Sequence, residues 1–343
     1  MNGSGSAPAA RAAARRALDL DALVARLAGR SPRALGQAIS VVEDGGERQA
    51  ELVRRVYADT GRARVVGVTG PPGAGKSTLV DRLAGALRAR GATVGILCVD
   101  PTSPFSGGAL LGDRIRMQGL ATDPGVFIRS MATRGAMGGL ARATRDAVDL
   151  LDAAGFDWVL VETVGVGQDE IDIVRTVDTV LVVAVPGLGD DIQAIKAGIM
   201  EIADVFVLNK ADREGADRTF RDLALVLSLA DGMTEESWLP PIVKTVAARG
   251  EGIEELLAAI DRHLDWMRAR GALDARRRTQ LKLRVETILK DRVLAAASSR
   301  AGLEAEVERG FARRLDPYRL ADALFEGVVR AEAERVAARE GER

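Results

Sequence analysis

The chain has 343 residues, 47% hydrophobic and 28% charged, enough to bury a sizeable core in one medium domain with extensions or in two small ones. Its 48 Lys and Arg nearly cancel its 49 Asp and Glu, so no global field draws it to nucleic acid or to an anionic membrane. A single cysteine, Cys98, rules out an internal disulfide and, with the lone His263, a metal site built from Cys and His; no apolar run reaches the ~18 residues of a membrane helix.

Residues 1–15 are rich in Ala, Gly and Ser with a few Arg. They lack the apolar core of a secretory signal and read as a disordered start to a cytoplasmic protein. Residues 16–61 read as a helical segment without strand signal. Leu20, Leu23, Val24 and Leu27 recur at helical spacing, and Ser31-Pro32 has the form of an N-cap followed by proline at the first helical position.

From residue 62 to 270 short apolar runs alternate with helical stretches. Strands are predicted at 65–69, 93–99, 126–130, 158–161, 179–185, 205–208 and 242–245. Continuous apolar strands separated by helices imply an α/β domain whose mostly parallel central sheet is flanked by helices on both faces. A helix over 253–270 closes the domain. Residues 271–343 carry no strands, and helices are predicted at 281–297, 304–313 and 317–338. Their apolar positions, among them Leu320, Leu324, Phe325 and Val328, need a partner surface. That surface is either the chain's own core or a second copy.

The chemistry starts at Gly70-Pro71-Pro72-Gly73-Ala74-Gly75-Lys76-Ser77, followed by Thr78. This is G-x-x-x-x-G-K-[ST] between an apolar strand and a helix, the P-loop NTPase arrangement. The glycines let backbone N–H groups turn inward onto phosphate oxygens, and the helix N-terminus adds a favourable dipole. Lys76 would neutralise the β- and γ-phosphates, and the Ser77 hydroxyl would ligate Mg²⁺. The strand over 158–161 runs into Glu162, the usual position for a second metal-facing acid. In the following loop Gly165 is placed to offer its N–H to a γ-phosphate. Asp100 also ends an apolar strand, at the sheet edge where ligands sit in such folds, and Asp113 opens a later helix. By pattern alone, the loop between Asp100 and Asp113 is equally a Pro/Gly/Ser connection.

The base is read from Asn209-Lys210-Ala211-Asp212, an N-K-x-D after a strand and far beyond the P-loop. Asp212 can accept from guanine N1–H and N2–H, a pair adenine does not offer; the unpaired carboxylate would cost about 1–3 kcal/mol against adenine. Asn209 and Lys210 would brace the loop and stack on the base. Thr245, Val246 and Ala247 follow the last strand, and an N–H near Ala247 is a weaker candidate for guanine O6. GTP is the ligand these residues predict, with GDP as product.

Taken together, these segments resemble the MeaB/ArgK-type P-loop GTPases, the family of the methylmalonic aciduria type A protein. The resemblance spans most of the chain. It is carried by Gly70–Thr78, Val99-Asp100-Pro101-Thr102-Ser103, Leu111-Gly112-Asp113-Arg114, Val161-Glu162-Thr163-Val164-Gly165-Val166-Gly167-Gln168, Val185-Pro186-Gly187-Leu188-Gly189-Asp190-Asp191 and Asn209–Asp212. It implies a GTPase chaperone for an adenosylcobalamin-dependent acyl-CoA mutase, mainly methylmalonyl-CoA mutase. Such a protein gates cofactor loading and protects or rescues the mutase, which alone holds the cobalamin. The resemblance further implies a homodimer through the C-terminal helices, and Ser77, Asp100, Asp113 and Glu162 around Mg²⁺. It also implies a third switch over 187–196, which by pattern is equally a strand-to-helix turn. Gln168 and Asp100 are candidates for positioning the attacking water, or for bracing loops. The rivals are a small-molecule kinase linked to basic amino-acid transport and a metal-insertion GTPase. The first lacks a visible acceptor site and the second lacks Cys/His ligands.

Overall fold

The computed structural model describes residues 18–100, 119–132, 139–163, 173–187, 200–228, 237–300 and 302–341. Among them, each run of β-branched and aliphatic residues becomes a strand of one parallel sheet. The strands are β1 (Arg64–Thr69), β2 (Val94–Asp100), β3 (Val126–Ala132), β4 (Trp158–Thr163), β5 (Thr179–Ala184), β6 (Val205–Asn209) and β7 (Ile242–Thr245). They lie in the order β3-β2-β4-β1-β5-β6-β7, all neighbours parallel. This agrees with the α/β reading of the sequence, strand for strand.

The strands read as unbroken apolar runs because both sheet faces are covered. Along β1 the side chains alternate: Val65 joins one core, Val66 and Val68 the other. The first core is covered by α1 (Leu20–Leu27), α2 (Pro32–Asp44), α3 (Gly46–Val56), α5 (Gly139–Ala153) and α6 (Ala216–Ser228). The second is covered by α4 (Lys76–Ala89) and α7 (Ile253–Ala269). The N-terminal helices therefore share the core of the sheet. Their starts are set locally: Asp19 accepts from Asp21 N–H at 2.9 Å, and Ser31 from Ala34 N–H at 3.4 Å with Pro32 in the first turn.

The chain forms two compact units, Met1–Arg276 and Arg277–Arg343. The helix α8 (Ala272–Arg300) begins nine residues before its expected start at 281. Residues 272–280 hold Leu273 as their one large apolar residue and so show no apolar stripe, but they contain no breaker. Gly271 at φ 65° ends α7, and the chain turns at once into the next helix. In the second unit α9 (Leu303–Arg313) packs on α10 (Pro317–Gly341) where Gly310 meets Leu320; a Cβ on Gly310 would lie 2.4 Å from Leu320 Cδ1. Asp316 caps α10 by accepting from Arg319 N–H at 3.0 Å. Phe311 and Tyr318 on this unit are 84% and 83% exposed.

Candidate functional site

Parallel strands place all their C-terminal ends on one edge, and the sequence puts its motifs there. Gly70 leaves β1 at φ 136°, where a Cβ would lie 2.3 Å from the Val183 carbonyl oxygen. Only glycine fits so close a backbone approach. Residues 70–75 then curl into the first turn of α4, which begins at Lys76. The buried Lys76 ammonium donates to the carbonyls of Gly70 (2.7 Å) and Pro71 (3.0 Å). A buried cation needs such acceptors, and here they hold it across the mouth of its own loop.

Ser77, on the same turn, donates to Glu162 Oε1 at 2.6 Å. Sheet register explains the meeting: Glu162 on β4 pairs with Val68 on β1 and with Cys98 on β2. Cys98 Sγ lies 4.0 Å from Glu162 Oε2, and Thr163 donates to Thr69 Oγ1 at 3.0 Å. The site thus gains a hydroxyl and a buried carboxylate side by side, hard oxygen donors of the kind Mg²⁺ prefers. Asp100 closes β2; its side chain, together with Asp113, Gly165, Gln168 and the loop 188–196, lies outside the described residues. Among the described residues, no group of three or more His, Cys, Asp or Glu is placed to hold a metal.

The base motif is joined to the phosphate loop through Asn209. It is buried at the end of β6, in register with Thr245 on β7. Its Nδ2 donates to the Ala74 carbonyl at 2.8 Å, and its Oδ1 accepts from Thr245 Oγ1 and Ala247 N–H, both at 3.1 Å. One side-chain amide therefore ties three loops. This also explains Gly75, where a Cβ would lie 2.6 Å from Asn209 Nδ2. Lys210 stands at φ 57°, uncommon for a side chain of its size, and its Nζ donates to the Gly73 carbonyl at 2.7 Å. Asp212 is partly exposed, 3.4 Å from Arg249 Nη1. From sequence, an N–H near Ala247 is a weaker candidate donor to guanine O6; the Ala247 N–H itself is given to Asn209. Val246 is the residue just before it, bridged to Glu251.

Pattern reasoning missed the residues that brace these loops. Arg82 on α4 donates from Nε to the Ala247 carbonyl (3.2 Å) and from Nη2 to the Ala248 carbonyl (3.3 Å). The helix that starts at the phosphate loop thereby also holds the base loop. Nothing local marks Arg82, which sits 165 residues before its partner. Arg249 was missed for the same reason.

The model of the family described as "Methylmalonyl Co-A mutase-associated GTPase MeaB" matches residues 35–301. The chain belongs to this family of GTPases. A protein of Pyrococcus abyssi is 50% identical over 314 residues, which cover 90% of this chain and 97% of its own. The mitochondrial methylmalonic aciduria type A homolog of Mus musculus is 35% identical over 312 residues, 85% of this chain and 75% of its own. A solved structure described as an LAO/AO transport system kinase superposes with a TM-score of 0.69 at 27% identity, covering 90% of this chain and 96% of that one. The matched span takes in the glycine loop, Glu162 and Asn209–Asp212, so family membership and site geometry fall on the same residues.

Proposed function

We propose that this GTPase is a chaperone for an adenosylcobalamin-dependent acyl-CoA mutase, methylmalonyl-CoA mutase first of all. In this reading the nucleotide state gates cofactor loading and protects or rescues the mutase. The observation that carries it is the family match over residues 35–301, a family described by its association with that mutase. The similarity to the mouse methylmalonic aciduria type A homolog supports it.

The site would work by positioning and charge compensation rather than by covalent chemistry. Backbone N–H groups of residues 70–78 cradle the phosphates, and Lys76 leaves its two carbonyls for the β- and γ-phosphate oxygens. Ser77 and Glu162, with Asp100 and Asp113, would hold Mg²⁺, which when bound neutralises charge on the phosphates. Asp212 reads the guanine N1–H and N2–H, Lys210 covers the base, and Asn209 with Thr245 keeps the base loop against the phosphate loop. Water attacks the γ-phosphorus as the bond to the β–γ bridging oxygen breaks, giving GDP and phosphate. Gln168 and Asp100 are the candidates for aiming that water, and Gly165 for sensing the γ-phosphate.

The protein would act in the cytoplasm as a homodimer joined through residues 271–343. The exposed Phe311, Tyr318 and Phe325 of the second unit support that role. Among the described residues, no helix is long and apolar enough to cross a membrane. The test is capture of purified mutase by this protein in GDP and in a non-hydrolysable GTP analogue, with GTP turnover measured alongside. The expected result is nucleotide-dependent capture and faster turnover with the mutase. Equal turnover and no capture in either state would reject the role. The name of the solved LAO/AO transport system kinase favours a second reading, phosphoryl transfer to a small amine. Following labelled γ-phosphate into water or into a basic amino acid separates the two.

A further inference from the structure

The base loop after β7 is built to present one arginine. Val246 and Glu251 exchange backbone hydrogen bonds of 3.0 and 3.3 Å, closing a tight turn. Gly252 at φ 78° completes it, since a Cβ there would lie 2.2 Å from the Lys244 carbonyl oxygen. Arg82 holds the turn from below through the carbonyls of Ala247 and Ala248. At the tip stands Arg249. Its Nε and Nη2 face Glu251 Oε1 and Oε2 at 2.7 and 3.3 Å, and its Nη1 faces Asp212 Oδ2 at 3.4 Å.

We propose that Arg249 is a specificity-determining residue of the base site, which orients the Asp212 carboxylate toward the guanine edge. This rests on the reading of Asn209–Asp212 as the guanine site. The carboxyl torsion of an aspartate is broad, and the Asp212 side chain is 38% exposed. A carboxylate left to rotate presents both oxygens to N1–H and N2–H only part of the time. Glu251 engages Nε and Nη2 of Arg249, which leaves Nη1 aimed at Asp212. Each carboxylate oxygen accepts more than one hydrogen bond, so Oδ2 can keep Arg249 while taking a guanine donor. The guanidinium also leaves the carboxylate with a cationic neighbour once the base displaces water. Lysine cannot supply this, because its three N–H groups diverge from one nitrogen and cannot match a planar fork whose three nitrogens reach both carboxylates at once.

The test compares GTP with ITP, whose base lacks the 2-amino group. Arg249→Ala should weaken GTP about three- to fivefold, the scale of an exposed ion pair. ITP should lose less, so the GTP/ITP preference narrows, and KM for GTP should move more than kcat. Arg249→Lys should fail to restore the preference, and Glu251→Gln should narrow it to a smaller degree. An unchanged or wider GTP/ITP preference in Arg249→Ala overturns the proposal, as does tighter GTP binding, which would make Arg249 a competitor for Asp212. Asp212→Asn measured in parallel, with xanthosine triphosphate against GTP, separates the layers. No gain for xanthosine triphosphate there removes the guanine reading itself. A gain there with an indifferent Arg249→Ala removes only the role of Arg249.

Discussion

The strand β6 has a buried polar residue at its C-terminal end and another just before its first residue, and the two ends differ in kind. At its C-terminal end Asn209 ties the phosphate loop to the base loop, with Lys76 on the Gly70 and Pro71 carbonyls, Ser77 on Glu162 and Asp212 beside Arg249. Just before its N-terminal end Asp204 is enclosed. Arg276 grips both its carboxylate oxygens at 2.7 and 2.8 Å, the β5 N–H of Val180 donates at 2.8 Å, and His263 Nε2 lies 3.2 Å away. His263 Nδ1 meets Thr179 Oγ1 at 2.9 Å, and Trp238 packs on its ring while donating to the Asp204 carbonyl. The His–Asp pairing has the look of catalytic chemistry but sits sealed behind aromatic rings. Buried polar groups that bond only one another hold the fold. Polar groups gathered at the C-terminal ends of parallel strands, with glycines clearing the backbone, have the placement of a ligand site. Burial alone would raise the Asp204 pKa; the hydrogen bonds from Arg276 and His263 outweigh it and hold this carboxyl below the ordinary range.

That contrast breaks most sharply at Lys76. Lys76→Ala should lower GTP turnover by about 10²-fold or more, as loss of one charge-stabilising donor does, with the unfolding midpoint unchanged. Phosphate release and a thermal melt on the same sample check it. The converse change is Asp204→Ala. It leaves Arg276 and His263 without their shared acceptor and should cost about 3–5 kcal/mol of stability, read by urea unfolding through Trp238 and Trp266 fluorescence. Turnover of the folded fraction should stay at the wild-type value.

A smaller effect joins fold and site. Gly75→Ala forces a side chain into φ 89° and against Asn209, a strain of about 1–3 kcal/mol. The expected outcome is weaker GDP binding by titration calorimetry, since relief requires the two loops to part. The smallest effect is in pH. A carboxyl with a depressed pKa stabilises fully above its unfolded value and loses that contribution as pH falls through the folded one. The stability gap between wild type and Asp204→Asn should therefore be constant near neutrality and shrink below about pH 4. A gap that widened in acid would reverse the assignment.

These features were unequally legible in the sequence. The strands were readable because burial on both faces leaves an apolar run with nothing else to be. The glycine loop and Asn209–Asp212 were readable as candidates because each motif is a run of a few consecutive residues. The bracing was not. Arg82 to Ala247, Arg249 to Asp212 and Arg276 to Asp204 join residues 165, 37 and 72 positions apart, and an arginine carries no mark of its partner. The early start of α8 was hidden for a different reason, because residues 272–280 hold one large apolar residue, Leu273, and so no periodicity to read.

In the proposed reading one sheet edge serves the nucleotide and the other serves the fold. Thermal unfolding of wild type, Lys76→Ala and Asp204→Ala, each with and without saturating GTP analogue and Mg²⁺, tests it most directly. The prediction is a ligand-induced rise in midpoint for wild type, the same rise from a lower baseline for Asp204→Ala, and little or no rise from a normal baseline for Lys76→Ala. A full rise in Lys76→Ala, or its loss in folded Asp204→Ala, would contradict the account.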